Sequence, residues 1–157
     1  MKMLHVLLLC AAIVISGAAC VGKSQDTREY LEFSSGGAFH PSGHGQWSVR
    51  LCRDGTLSVR HTVKDKVVLD SIFTLTHAEV GRFFGLFCRI NVKGMGSSRR
   101  QGLPDEVAYI FVLKDGSGIF KKSVWIGDAR DNAAIMELVS YTETLIEKYT
   151  GERPVLR

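Results

Sequence analysis

Short turn signals join two pairs of predicted strands in this chain. Asp54-Gly55 tolerates the positive φ of a tight hairpin turn, and Asp115-Gly116-Ser117-Gly118 provides a second turn of the same kind. Parallel neighbours need a crossover of a dozen or more residues, which these connections are too short to supply. The chain is therefore constrained to an antiparallel sheet. The strands that the two turns join are residues 46–53, 56–63, 106–113 and 119–126.

The remaining periodic segments complete an α+β fold. Residues 30–33 and 67–73 are further strand candidates, and residues 106–113 are apolar on both faces, as in an interior strand. The resulting order is three or four strands, a helix, two strands and a helix. We predict an antiparallel sheet of five to six strands with both helices packed on one face.

Two helices are predicted from helical spacing of apolar residues. Thr76 and Glu79 are placed as a capping box at the start of the first helix, and Asp131 as the cap of the second, which ends near Gly151. The first helix carries an aromatic stripe that we interpret as core. The stripe consists of Val80, Phe83, Phe84, Phe87 and Ile90.

The first 19 residues have the three parts of an export signal. Lys2 supplies positive charge, residues 6–15 are apolar, and residues 16–19 are small. An apolar run this short cannot cross a hydrocarbon layer of about 30 Å. We predict a signal peptide at 1–19, a tether at 20–29, one domain at 30–151 and a C-terminal tail at 152–157.

The segment Ser16-Gly17-Ala18-Ala19-Cys20 resembles the lipobox that lipoprotein signal peptidase reads. The resemblance implies that Cys20 is the lipidated N-terminus and holds the protein at a membrane. A branched apolar residue is usual where Gly17 stands, so ordinary secretion with cleavage after Ala19 is the alternative. In Gram-negative families a residue such as Val21 after the cysteine implies sorting to the outer membrane, facing the periplasm.

Two cysteines remain once Cys10 leaves with the leader and Cys20 is lipidated. Export to an oxidising compartment favours a disulfide between Cys52 and Cys88. Alternation along its strand, however, places Cys52 on the face opposite Trp47, away from the side that a helix would cover. Two separate buried thiols are therefore the alternative.

A glycine-rich loop between the first two strands is the predicted binding surface, because exposed loops on a rigid sheet often serve recognition. Trp47 stands at its end, either as a rigid contact or, as the strand face that it shares with Val49 and Leu51 favours, as part of the core. The predicted binding residues are Gly36, Gly37, His40, Pro41, His44 and Trp47.

Catalytic and cofactor motifs are not apparent in the sequence. The chain contains no Gly-x-Ser-x-Gly elbow, and its glycine-rich turns lack the Gly-Lys-Ser/Thr ending of a phosphate loop. His40 and His44 lie four apart, but no helical pattern holds them on one side as a zinc site requires. The net charge of +4 is small and scattered, which argues against nucleic-acid binding. We predict a protein that is not an enzyme and needs no cofactor.

A family resemblance is carried by Leu31-Glu32-Phe33-Ser34-Ser35-Gly36-Gly37-Ala38-Phe39, by Leu75-Thr76 through Glu79-Val80 to Phe83-Phe84, and by Leu103-Pro104-Asp105 before Tyr109-Ile110-Phe111. With the closing helix, these segments resemble bacterial domains of the emfourin type, a family associated with inhibition of thermolysin-like metalloproteases. The resemblance covers most of the mature chain and implies a protease as partner. The chain departs from the family in its lipid anchor, its longer loop and its cysteine pair.

Three functions remain in view. The leading hypothesis is a non-catalytic binding domain at the bacterial envelope that restrains a protease. A metal-dependent hydrolase that uses His40 or His44 would need a third ligand and an open coordination position. The third hypothesis is a structural lipoprotein without a discrete ligand.

Overall fold

Apolar and polar residues alternate along the strands, and in the computed structural model these strands form one antiparallel sheet. The structure describes residues 28–36, 44–99, 101–102 and 106–156. Within these ranges the sheet has six strands in the spatial order β4-β3-β2-β1-β5-β6. The predicted α+β class and antiparallel sheet are confirmed. The strands are β1 (Tyr30–Gly36), β2 (Gln46–Cys52), β3 (Thr56–Val63), β4 (Lys66–Thr74), β5 (Ala108–Asp115) and β6 (Gly118–Trp125).

The first strand lies in the middle of the sheet. β1 pairs with β2 on one side and β5 on the other, so that Phe33 faces Val49 and Phe111 across the two ladders. β5 is also interior, between β1 and β6, which its two apolar faces predicted. The chain therefore crosses from the β4 edge to the other half of the sheet between β4 and β5.

Helix α1 (His77–Ile90) makes this crossing and begins at the predicted capping box. The Thr76 side chain accepts a hydrogen bond from the Glu79 amide, while the Glu79 carboxylate accepts one from the Thr76 amide at 2.9 Å. The aromatic stripe is core as predicted, since Phe83 and Phe87 are buried.

The last helix, α3 (Ala133–Thr150), begins one residue later than predicted. Its cap is Asn132, not Asp131, because the Asn132 side chain accepts hydrogen bonds from the amides of Ala134 and Ile135. A short helix that the sequence did not predict, α2 (Ile126–Ala129), directly follows β6.

Helices α1 and α3 contact each other and cover one face of the sheet. Side chains from that face and from both helices form a single buried cluster, which is the arrangement predicted. Its largest fully buried members include Phe33, Val49, Leu51, Leu57, Phe83, Tyr109, Phe111, Ile135, Leu138, Leu145 and Ile146.

One carboxylate links the start of α1 to the end of α3. Besides capping α1, Glu79 accepts hydrogen bonds from the Lys148 ammonium at 2.6 Å and the Tyr149 hydroxyl at 2.8 Å. The bond from Lys148, together with those from Thr76, lowers the pKa of Glu79 to about 2. Glu79 therefore fastens together the two helices that cover the core.

The segment after α3 is part of the domain and not the tail that was predicted. Leu156 is buried with 1% exposure and belongs to the core cluster. Its carbonyl oxygen accepts a hydrogen bond from the buried Ser35 hydroxyl at 3.0 Å. The C-terminal segment thus packs against the central strand.

Neither Cys52 nor Cys88 forms a disulfide, so the predicted disulfide is wrong. Alternation along β2 turns Cys52 to the face opposite Leu51, whereas Cys88 lies on α1, which covers the Leu51 face. The alternative of two buried thiols is half correct, because Cys52 is buried and Cys88 is exposed.

Candidate binding surface

The predicted binding loop is anchored at its base by close backbone contact. Gly36 and Gln46 are paired across β1 and β2, and Gly36 and Gly45 both have positive φ. A Cβ on Gly36 would lie 2.1 Å from the Gly45 carbonyl oxygen, a distance that no side chain tolerates. These two glycines therefore let the loop leave the sheet. Gly37, His40 and Pro41 lie outside the described residues.

Trp47 supports the loop from inside the core and is not an exposed contact. It is 4% exposed, as its strand face favoured, and its ring stacks on the His61 ring with centroids 4.0 Å apart. His61 in turn donates from Nε2 to the His44 carbonyl oxygen at 2.6 Å, because a carbonyl can only accept. The far end of the loop is thus fixed by a histidine of β3.

The role of His61 was missed in the sequence, although one signal was available. Period-2 alternation along β3 places His61 on the same face as the buried Leu57 and Val59. A histidine at the end of such a run predicts a ring at the border of the core.

The other face of the sheet, which we call the uncovered face, has neither long helix packed on it. Its side chains form rows across the strands, of which the middle row runs Lys121, Val112, Glu32, Arg50, Ser58 and Ile72. A groove of about 340 Å³ lies on this face. It is lined by Glu32, Ser48, Arg50, Ser58, Arg60, Asp70 and Ile72.

Two ion pairs order the groove. Arg50 bonds Glu32 at 2.7 Å, and Arg60 bonds Asp70 at the same distance. The Arg50 guanidinium also lies 4.4 Å from the centroid of the Tyr30 ring. The groove therefore presents fixed donors and acceptors that are largely paired with each other, so it carries little net charge.

Apolar side chains are exposed on the edge strand that borders this groove. Val67, Val68 and Ile72 of β4 are 55%, 58% and 71% exposed. β4 is the first strand in the sheet order, so its outer N–H and C=O groups face away from the sheet. Exposed apolar side chains on an edge strand are typical of a site that pairs with another chain.

The opposite edge is covered in part. The Ser98 amide donates to the Ser123 carbonyl oxygen at 2.9 Å, and the Trp125 amide donates to the Ser98 hydroxyl at 3.0 Å. Ser97 and Ser98, in the segment that follows α1, therefore lie along the last part of β6 and occupy outer hydrogen-bonding groups of Ser123 and Trp125. The two edges of the sheet therefore differ in how many backbone groups are available to pair with a partner strand.

A second concave region lies between the end of α1 and the ends of β1 and β5. This cleft of about 280 Å³ has an apolar floor that includes Leu31 and Phe87, and Cys88 is on its wall. A hydrogen bond from Lys93, with others from Ser117, lowers the pKa of Asp115 at its rim to about 2. The Lys93 ammonium and the Asp115 carboxylate at the rim are thus held in an ion pair at 2.7 Å.

The described ranges contain no cluster of side chains that could bind a metal ion. No three His, Cys, Asp or Glu side chains there are grouped as a metal ion would need. His44 is exposed, and His40 lies outside these ranges. The metal-dependent alternative stays a prediction.

No family model matches this chain, and no curated protein matches it in sequence. The resemblance to the emfourin type therefore rests on the residues quoted above and stays a prediction. In the part of the chain that the structure describes, no helix is long and apolar enough to span a bilayer. The leader and Cys20 lie outside that part, so export and lipidation also stay predictions.

Proposed function

We propose that this protein is a lipid-anchored binding domain of the bacterial envelope, without catalytic activity, that docks a protein partner along β4. The observation that carries the proposal is the exposed apolar edge, where Val67, Val68 and Ile72 border a groove of fixed charges. Strand addition at such an edge supplies affinity through backbone hydrogen bonds and specificity through alternate side chains.

The class of partner follows from the resemblance to emfourin-type domains, which points to a thermolysin-like metalloprotease. The loop of residues 36–47 leaves the sheet between β1 and β2, at the end where β3 turns into β4. A partner held along β4 can therefore contact this loop as well. We propose that both surfaces serve one docking event.

The β4 surface is tested with two matched isoleucines. Ile72 on β4 and Ile119 on β6 are 71% and 64% exposed, face the same side of the sheet and lie on opposite strands of it. Ile72→Ser should weaken capture of a partner from detergent-solubilised envelope and inhibition of a thermolysin-like protease, whereas Ile119→Ser should leave both unchanged. Equal behaviour of the two variants would exclude β4 as the docking edge.

The loop is tested by shortening residues 37–44 to a tight turn. Capture should weaken while the thermal transition changes little, because the length of a surface loop has a small effect on stability. Unchanged capture by the folded variant would place recognition elsewhere, most directly on residues 91–104, the glycine- and serine-containing segment that follows α1.

The anchor is tested with Cys20→Ser. The thiol of Cys20 is the proposed lipid acceptor, so this variant should lose lipid modification and leave the membrane fraction when the membranes are washed with 1 M salt, which weakens electrostatic contacts with lipid. Wild-type protein that is found entirely in the soluble periplasmic fraction or the medium would contradict the proposed anchor.

A further inference from the structure

The hairpin between β5 and β6 exposes an apolar side chain among lysines. Ile119, directly after the turn, is 64% exposed. Its partner across the ladder is Lys114, and Lys121 follows two residues later on the same face of β6. Lys93 lies on the other side of the hairpin, with its ammonium 4.8 Å from the centroid of the Phe120 ring. We call these residues, 114–121 with Lys93, the hairpin end.

The hairpin end carries a positive excess. Its one carboxylate, Asp115, is bonded to Lys93 at 2.7 Å. Among the described residues, no ion pair joins Lys114 or Lys121 to a carboxylate, and the Lys114 ammonium instead lies 5.6 Å from the Tyr30 ring centroid. Two ammonium groups are therefore available to an anionic partner beside an exposed isoleucine.

The N-terminal strand enters the sheet at the same end. Tyr30, the first residue of β1, is paired with Lys114, which is paired with Ile119. Seven residues separate Cys20 from Arg28, and the chain between these two residues reaches roughly 29 Å at most when fully extended. A lipid on Cys20 would therefore keep the hairpin end close to the bilayer surface.

We propose that the hairpin end is a membrane-contact surface for anionic phospholipid. Lys114 and Lys121 meet the headgroup phosphates, and Ile119 enters the apolar boundary between the headgroups. Basic side chains beside an exposed apolar residue are the combination that interfacial binding uses. The orientation rests on the proposed lipid anchor, but contact with lipid is a property of the folded domain and is measurable without the anchor.

The test uses the mature chain with Cys20→Ser, made without its leader, in co-sedimentation with vesicles. Vesicles of phosphatidylethanolamine and phosphatidylglycerol should bind it, and vesicles of phosphatidylethanolamine and phosphatidylcholine should not. Binding should weaken from 0.1 M to 1 M salt, because the Debye length falls from about 10 Å to about 3 Å. Equal binding to both kinds of vesicle, or binding to neither, would overturn the proposal.

Substitutions in the hairpin end test whether its side chains contact the vesicle. Lys114→Ala and Lys121→Ala should each lower the partition coefficient by about five-fold, the effect expected of one basic residue near an anionic surface. Ile119→Ser should also lower it, whereas Ile72→Ser on the opposite edge is the matched control and should not. Equal partition of all four variants and the parent chain would exclude the hairpin end.

Free anion is distinguished from lipid by adding inorganic phosphate at constant ionic strength. The bound fraction should not change, and complete displacement by phosphate would show a site for a free anion instead. The outcomes also separate this proposal from the proposed function. Loss of partner capture in Ile72→Ser tests β4 alone. Release of full-length Cys20→Ser in 1 M salt, where the lysine contacts with lipid are screened, tests the anchor alone.

Discussion

The hydroxyl of Ser35 donates a hydrogen bond to the carbonyl oxygen of Leu156, a residue 121 positions further along the chain. Ser35 is on the central strand β1, and both residues are buried. The end of the chain is thereby bonded to the middle of the sheet. A folded domain that lacks this segment would leave a buried hydroxyl without its acceptor.

Leu156→Ala is expected to lower the free energy of unfolding by about 2–5 kcal/mol, because it removes apolar contacts and leaves a cavity. Urea denaturation followed by tryptophan fluorescence measures the change. The adjacent Val155, which is 43% exposed, provides the control, and Val155→Ala should stay within about 0.5 kcal/mol of the parent. Equal midpoints for the two variants would show that the C-terminal segment is not part of the core.

We expect Glu79 to make the free energy of unfolding depend on pH at acidic pH. Its pKa is about 2 in the folded protein and 4.5 ordinarily, so its contribution is present above pH 4.5 and is lost as the pH falls towards 2. Glu79→Gln should therefore lower stability at pH 7 and flatten the decline between pH 4.5 and pH 2.

Glu147 on α3 is the matched control for the pH measurement. Glu147 also forms an ion pair, with Arg153 at 2.8 Å, but its side chain is 51% exposed and that of Arg153 is 86% exposed. Surface pairs of this kind contribute little to stability, so Glu147→Gln should retain the acid-end slope of the parent. If Glu79→Gln also retains that slope, the carboxylate does not hold the two helices together.

Asn132→Ala should destabilise the protein by about 1 kcal/mol, because two amides in the first turn of α3 lose their acceptor. Asp131→Ala, at the position that the sequence favoured, should have a smaller effect. Thermal unfolding of both variants compares the two positions directly. A larger loss of stability in Asp131→Ala than in Asn132→Ala would show that Asp131, the predicted residue, caps α3.

The thiols of Cys52 and Cys88 should differ in how readily a thiol reagent reaches them. In the folded mature chain that carries Cys20→Ser and is made without the leader and its Cys10, the exposed Cys88 should react readily with a thiol reagent, and the buried Cys52 should react only on unfolding. Unreduced protein in denaturant should therefore titrate two thiols. A count of zero would restore the disulfide that the structure lacks.

Local pattern was enough to predict the strands and the two long helices of this fold. Hairpin turns at Gly55 and Gly118 and the helical stripe that contains Phe83 and Phe87 are features of neighbouring residues, so the sequence displays them. The order of the strands was not predictable in the same way. β5 lies beside β1 because that pairing completes the core. The pattern of a single segment does not contain this information.

The parts of the candidate site that were missed are long-range contacts. Trp47 meets His61 and thereby fixes the end of the loop at His44, but neither partner identifies the other in the sequence. Leu156 is a single apolar residue after the last helix, without the periodic neighbours that predict burial. The exposure of apolar side chains on β4 also depends on its position at the edge of the sheet and, for Ile72, on the uncovered face, neither of which a local pattern records.

The partial cover on β6 has a consequence for how this protein can associate. The outer groups of Ser123 and Trp125 are already bonded within the chain, so the last part of β6 is not available for pairing. Among the described residues, no strand or loop is bonded along the outer side of β4. Filaments that grow by sheet extension need two receptive ends on every subunit. Because part of the β6 edge is already occupied, association through β4 favours pairs of subunits over continued extension of the sheet.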